Sequence, residues 1–157
     1  MIERTFSGGV WHLTANEVAW TTGSFLGGVF VSLRGTFKDK VRTFALCIVI
    51  FGALFGLLGV APSFAVFLAL MGVSGFFLPI MMTAQTVLVQ EVTAPEVLGR
   101  VFSLLQILAA SAMPAAILLF GPLADIVSVE SIMVVSGILL ALVGAVYGKS
   151  APRQAAS

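Results

Sequence analysis

The chain has 157 residues, of which 59% are hydrophobic and 10% are charged, and its formal net charge at pH 7 is +1. An ordinary soluble domain is about one quarter charged, so this composition argues against a soluble protein and predicts an integral membrane protein. No basic patch lies outside short loops, which argues against a nucleic-acid partner. The single cysteine, Cys47, lies within an apolar run and is interpreted as a small packing residue.

Five long apolar stretches follow one another, each close to the roughly 20 residues that a helix needs to cross a bilayer. They are too long for strands and lack strict alternation, so the predicted fold is an all-α integral membrane protein with five transmembrane helices. We treat residues 1–157 as a single membrane domain. The predicted helices span about 16–37, 43–60, 63–90, 100–124 and 127–148.

The basic residues predict the orientation of this domain. Seven of the eight lie at Arg34 to Arg42, at Arg100 and at Lys149 to Arg153, which short connections place on one side of the membrane. By the positive-inside rule this side is the cytoplasm, so a multi-pass protein in a bacterial plasma membrane with a cytoplasmic tail at 149–157 is expected. Five crossings place residues 1–15 outside as an external loop. Because those residues contain no signal segment, we expect the chain to be the later part of a longer protein.

Polar side chains line one face of the first predicted helix at helical spacing. Polar groups are costly in hydrocarbon, so these should face protein or water, either in a substrate cavity or in hydrogen bonds between helices. Glu17 is interpreted first as a cap of the helix N-terminus and second as a titratable coupling group. His12, beside Trp11, is interpreted as an interfacial anchor rather than a proton relay.

The third and fourth predicted helices repeat this polar face, whereas the second and fifth contain almost no polar side chains beyond small hydroxyls. This asymmetry predicts a central cavity with adaptable aromatic walls. The predicted cavity residues are Glu17, Trp20, Thr21, Ser24, Phe76, Thr83, Thr86 and Gln106.

Pairs of small residues four positions apart predict close packing of helix backbones in lipid. They are Gly23 with Gly27, Ser24 with Gly28, Gly52 with Gly56, Gly137 with Ala141, and Gly144 with Gly148.

The loop after the first helix reads Gly35-Thr-Phe-Lys-Asp39-Lys40-Val-Arg42. It resembles the second-half copy of a loop motif of the major facilitator superfamily, Gly-x-x-x-Asp-Arg/Lys-x-Gly-Arg. Gly35, Asp39 and Lys40 match by position, whereas Arg42 stands where the motif has glycine and Thr43 where it has a basic residue. The loop is predicted to hold a charge relay that gates the cytoplasmic side, and a solvated turn is the alternative.

A second charged loop contains Pro95-Glu96-Val-Leu-Gly99-Arg100. It resembles the Pro-Glu-x-x-Gly-Arg-Val segment of the drug-efflux branches of this superfamily, including macrolide exporters. Further similar stretches at 8–14, 113–114 and 121–125 extend the resemblance over nearly the whole chain. The predicted gating residues of the two loops are Gly35, Asp39, Lys40, Arg42, Glu96, Gly99 and Arg100.

The resemblance implies that the five helices correspond to the eighth through twelfth helices of a twelve-helix transporter. The eighth, tenth and eleventh would line its cavity, and the ninth and twelfth would lie outside. The expected partners are the lipid bilayer, a small amphipathic substrate and the missing N-terminal half.

The sequence contains no catalytic, phosphate-binding or metal-ligating pattern, so neither an enzyme nor a cofactor is expected. The expected function is that of a partial secondary-active transporter, which exports amphipathic drugs such as macrolides by proton-coupled alternating access. The alternative is a stand-alone membrane scaffold or oligomerising subunit that transports nothing. A sugar or metabolite transporter is disfavoured because the predicted cavity lacks charged residues.

Overall fold

The computed structural model describes residues 10–35 and 39–150, and this part of the chain is almost entirely helical. No strand occurs among these residues, which confirms the predicted all-α fold. The helices are α1 (Val10–Arg34), α2 (Lys40–Gly59), α3 (Phe64–Val92), α4 (Leu98–Ile126) and α5 (Val129–Ser150).

Four of these helices are long and apolar enough to cross a membrane: α2, α3, the part of α4 up to Leu123, and the part of α5 up to Lys149. At a rise of about 1.5 Å per residue, each is about 30 Å long or longer, which matches the hydrocarbon thickness of a bilayer. α1 has 25 residues but is less apolar than the other helices. The chain is therefore a multi-pass α-helical membrane protein.

The helix ends differ from the apolar stretches by a few residues. α1 begins at Val10, six residues before the predicted start at 16, because a helix can continue through polar residues such as Thr14 and Asn16. The first turn of α1 contains no acidic residue, and Glu17 lies two turns inside the helix. The interpretation of Glu17 as an N-terminal cap is therefore wrong. α3 begins with a side-chain cap, in which Ser63 Oγ accepts a hydrogen bond from the Val66 N–H over 3.4 Å.

Among the described helices, α1 packs against α3, α2 packs against α5, and a smaller contact between α2 and α3 joins the two pairs. α1 and α3 run parallel, since Gly23 lies against Gly72 and Gly27 against Phe76. α2 and α5 run antiparallel, since Gly52 lies against Gly137 and Gly59 against Glu130. We call the end of the bundle where α1, α3 and α5 begin the upper end, and the opposite end the lower end.

Glycines bring the paired backbones together. A Cβ placed on Gly137 would lie 2.6 Å from the Gly52 carbonyl oxygen and 2.5 Å from the Gly56 nitrogen, closer than real Cβ atoms approach. A Cβ on Gly27 would lie 3.1 Å from the Phe76 Cα. The small-residue packing predicted for these glycines is confirmed, whereas a Cβ on Gly28 would meet no atom of another described helix within 4 Å, so the packing predicted for Gly28 does not occur among these helices.

α4 differs from the other helices. No residue from Leu98 to Leu123 is buried, and α4 makes no extended contact with another described helix. Large apolar side chains point outward along its length, for example Leu108 (67% exposed) and Leu118 (76% exposed). α4 therefore presents an apolar surface that α1, α2, α3 and α5 do not cover.

Candidate functional site

A cavity of about 700 Å³ opens in the upper half of the bundle, between the α1–α3 pair and the α2–α5 pair. All five helices contribute to it, and its surface is mainly apolar. The lining residues are Glu17, Trp20, Phe51, Phe55, Leu58, Met71, Ser74, Phe120, Ser136 and Leu140. A mostly apolar cavity with a few polar groups is suited to an amphipathic small molecule.

Glu17 is the charged residue of this lining. It lies on the same α1 face as Trp20, less than one turn away, because residues three apart on a helix are neighbours. The hydroxyl groups of Ser74 and Ser136 are the other polar side chains around the cavity, apart from the indole N–H of Trp20. A bound molecule would thus meet a carboxylate at one position and aromatic or aliphatic groups over most of its surface.

Of the predicted cavity residues, Glu17 and Trp20 line this cavity. Ser24 lies in the α1–α3 interface instead, where its Oγ donates a hydrogen bond to the Gly75 carbonyl oxygen over 3.3 Å. Phe76 packs its ring against Phe30, with 5.6 Å between the ring centroids.

The remaining predicted cavity residues do not line the upper cavity. Thr83 and Thr86 lie in the lower half of α3, and Gln106 lies in the lower half of α4. Thr21, Thr86 and Gln106 are exposed, and Thr83 is half-buried. Their role in a substrate cavity remains a prediction.

Residues of α2 and α5 were missed as cavity residues. Phe51 and Phe55 of α2 and Leu140 of α5 line the cavity, although the resemblance implied that these helices lie outside it. Polarity was the signal used for the prediction, and these side chains are apolar. The Gly52 and Gly137 pairing could have placed α2 beside α5, but it does not specify which neighbouring side chains reach the cavity.

The upper end of α1 packs on the start of α3 through His12. Its imidazole lies edge-on to the Phe64 ring, with 4.3 Å between the centroids. The buried atoms His12 Nδ1 and Asn16 Oδ1, one helical turn apart, have no hydrogen-bond partner within the described part of the chain. Two buried polar atoms therefore lie near the upper end of α1, in the turns before and beside Glu17.

Ion pairs lie at the lower end. The Lys40 ammonium, at the first residue of α2, contacts the Glu91 carboxylate near the end of α3. Arg42 Nη1 lies 3.8 Å from Asp39 Oδ2 within the first turn of α2. Gly35 ends α1 with φ of +74°, a left-handed conformation that favours glycine. Lys40 of the first charged loop is thus paired with Glu91 of α3. This ion pair was not predicted from the sequence.

The second charged loop is arranged differently. Glu96, Gly99 and Arg100 are exposed, and neither Glu96 nor Arg100 forms an ion pair among the residues that the structure describes. The Gly99 carbonyl oxygen accepts a hydrogen bond from Ser103 Oγ over 2.9 Å, which lies within α4. The gating role of this loop remains a prediction.

The described residues include no group of three or more His, Cys, Asp or Glu side chains that could hold a metal ion. What the bundle offers is an open apolar cavity with one carboxylate at its upper half and an ion-pair cluster at its lower end. These features lie in a multi-pass α-helical membrane protein.

Comparison with known proteins gives the particular relationship. The chain is 30% identical over 137 residues to Macrolide efflux protein A of Streptococcus pyogenes, which covers 86% of this chain and 34% of that protein. The same values hold for the protein of that name from S. pyogenes serotype M6. Macrolide efflux protein A of Enterococcus faecalis is 31% identical over 111 residues, 69% of this chain and 34% of that protein.

The chain is thus related to macrolide efflux proteins, and the resemblance to the drug-efflux branch of the major facilitator superfamily is confirmed. It spans about a third of the length of the curated relatives it matches. No family model matches the chain, and no solved structure matches it significantly.

Proposed function

We propose that this chain forms part of a secondary-active drug exporter and supplies one wall of its substrate pathway. The observation that carries the proposal is the similarity to macrolide efflux proteins over 86% of the chain. The upper cavity supports it, because an apolar, aromatic lining with one carboxylate accommodates amphipathic drugs such as macrolides.

Alternating access requires the bundle to move against a second set of helices. α4 supports this arrangement, because its uncovered apolar side chains would be buried against such a partner. The rest of a longer transporter, equivalent to the other two thirds of the relatives, is the partner that we infer. The Lys40–Glu91 pair would hold the lower ends of α2 and α3 together while the upper cavity is open.

We further infer that export is coupled to protons and that Glu17 takes part in the coupling. A coupling group must be reachable by water and close to the substrate, and Glu17 is exposed and lines the cavity. Binding of a cationic drug and of a proton would then compete for the same carboxylate.

The test is a chimera in which this chain replaces the matching third of the S. pyogenes protein, expressed in a bacterium that lacks other drug pumps. We expect the cells to accumulate less radiolabelled erythromycin than cells carrying an empty vector, and a protonophore should abolish the difference. The 157-residue chain expressed alone should leave accumulation unchanged. A chimera that reaches the membrane in a folded form but never lowers accumulation would contradict the proposal.

Coupling is tested in the same chimera with Glu17→Gln. We expect this variant to lose uphill export while erythromycin still exchanges across the membrane, because the amide cannot carry the proton. The matched control is Glu130→Gln, a carboxyl group of α5 that does not line the cavity. Equal export by the Glu17→Gln chimera and the parent would rule out Glu17 as the coupling group.

A membrane scaffold or oligomerising subunit is the second candidate. The uncovered surface of α4 favours it, since another protein could bury that surface without any transport. Crosslinking of the chain expressed alone separates the two functions. Specific oligomers joined through α4, together with an inactive chimera, would favour the scaffold.

A further inference from the structure

A second, shallower groove of about 240 Å³ lies between α2 and α5 at the lower end and shares no lining residue with the upper cavity. Its surface is almost entirely apolar, and Arg42 is its charged residue. The other lining residues are Ala45, Leu46, Val49, Gly144, Ala145 and Gly148.

The two helices that form this groove approach each other closely. A Cβ on Gly148 would lie 3.2 Å from the Ala45 Cβ, and one on Gly144 would lie 2.9 Å from the Val49 nitrogen. These glycines therefore let α5 lie directly against α2, with no room for a side chain between them. The groove runs beside this contact, and its apolar lining suits a hydrocarbon chain.

Positive charge lies at the lower mouth of the groove. The Arg42 side chain is 59% exposed, and its nearest carboxylate, Asp39, is 3.8 Å away, which is too long for a strong hydrogen bond. Exposed pairs of this kind contribute little, so the guanidinium donors are available to another anion. Lys149, in the last turn of α5, follows Gly148 directly and adds a second positive charge.

The start of α2 adds backbone donors at the same place. Asp39 is its N-cap residue but makes no side-chain capping hydrogen bond, so this cap leaves the first N–H groups of α2 without its carboxylate as an acceptor. N–H groups at a helix N-terminus favour a phosphate. The Asp39 carboxylate opposes an anion, and an arriving phosphate would compete with it for Arg42.

We propose that this groove binds an anionic phospholipid, with an acyl chain along Gly144 and Gly148 and the phosphate at Arg42. Charge complementarity selects this occupant, because basic pockets between helices near the membrane surface bind anionic headgroups. The apolar groove selects a lipid over a free phosphate, which would gain nothing from it. The site does not depend on transport, so it can exist whether or not the chain is part of an exporter.

The test uses the purified 157-residue chain in detergent and measures lipid binding by native mass spectrometry. Palmitoyl-oleoyl phosphatidylglycerol should bind more tightly than the phosphatidylcholine with the same chains. Arg42→Gln should weaken phosphatidylglycerol binding about fivefold, the effect of one basic side chain near a lipid surface. Arg34→Gln is the matched control, since it removes the same charge at the same end of the bundle but outside the groove.

The groove itself is tested with Ala145→Leu, which places a larger side chain in the groove and should weaken the binding of both lipids. Ala53→Leu is its control, because Ala53 is exposed on α2 but does not line the groove. Inorganic phosphate should not displace phosphatidylglycerol at equal concentration. Circular dichroism checks that each variant is folded.

A photoreactive phosphatidylglycerol provides a readout that needs no variant. Its acyl chain should label peptides of α2 and α5 around Val49 and Ala145. Labelling confined to other helices would overturn the proposal. Equal losses in Arg34→Gln and Arg42→Gln would also overturn it, because the bundle would then attract anionic lipid only through its overall charge. Displacement by inorganic phosphate would mean an anion site without a lipid groove.

Discussion

α4 and α5 are both apolar helices long enough to cross a membrane, yet only α5 is packed against a partner. In α5, Gly137 and Gly144 are buried against the backbone of α2. In α4, a Cβ on Gly121 would meet no other described helix within 4 Å, and no residue from Leu98 to Leu123 is buried. Since lipid tails are as apolar as leucine, hydrophobicity does not drive helices together in a membrane. Close contact between small residues decides which helices pair in this chain.

The largest effect should come from filling the contact between α2 and α5. Gly137→Ala places a Cβ within 2.6 Å of the Gly52 carbonyl oxygen, so the helices must separate. We expect the free energy of unfolding to fall by about 3 kcal/mol, at the upper end of overpacking costs. Gly121→Ala in α4 should raise it by up to about 1 kcal/mol, because alanine is the better helix former. Reversible unfolding in mixed detergent micelles measures both, and changes of the same sign and size would contradict the comparison.

A second test truncates leucine in each region. Leu54 of α2 is 8% exposed, whereas Leu118 of α4 is 76% exposed. Leu54→Ala should lower the free energy of unfolding by about 2 kcal/mol, because a cavity remains in the packed pair. Leu118→Ala should change it by less than about 0.5 kcal/mol, since detergent or lipid fills the space. The same unfolding assay applies, and a large loss from Leu118→Ala would show that α4 is packed after all.

At the lower end, the ion pair between Lys40 and Glu91 joins α2 to α3. No ion pair among the described residues joins α4 to another helix. A double-mutant cycle with Lys40→Gln and Glu91→Gln should give a coupling free energy of about 1 kcal/mol, which high salt reduces. The matched cycle for Asp39 and Arg42, an exposed pair within one helix turn, should give about 0.3 kcal/mol. Equal coupling in the two cycles would mean that the pair does not connect the helices.

The smallest change in stability should come from removing the hydroxyl groups of single serines. Ser24 Oγ donates across the α1–α3 interface to Gly75, whereas Ser103 Oγ donates within α4 to Gly99. Ser24→Ala should cost about 0.6 kcal/mol, the average for hydrogen bonds between membrane helices. Ser103→Ala should cost nothing measurable, because its hydroxyl bonds only to its own helix. Thermal unfolding in detergent would resolve the difference, and equal shifts would place Ser24 outside the interface.

Helix content could be predicted from the sequence because bilayer thickness sets the length of an apolar run. The start of α1 at Val10 could not be predicted in this way, since His12, Asn16 and Glu17 extend the helix without extending the apolar run. The same reason made the capping interpretation of Glu17 wrong. Helix ends depend on backbone hydrogen bonds, which polar residues support as well as apolar ones.

The candidate site was predicted only in part. Glu17 and Trp20, which line the upper cavity, were among the predicted residues because a carboxylate and an indole are conspicuous in an apolar stretch. Phe51, Phe55 and Phe120 were not, because nothing in the sequence separates a phenylalanine that faces a cavity from one that faces lipid. Their positions follow from which helices pair, and that pairing depends on contacts between residues far apart in the chain, such as Gly52 and Gly137.

The positions of the paired helices in the sequence also determine when each pair can form during synthesis. The end of α2 at Gly59 and the start of its partner α5 at Val129 are 70 residues apart in the sequence. At about 5–20 residues per second, the ribosome needs roughly 4–14 s to make that distance. During this interval the glycine face of α2 has entered the membrane without its partner. Lipid, the insertion machinery or another helix therefore covers that face until α5 emerges.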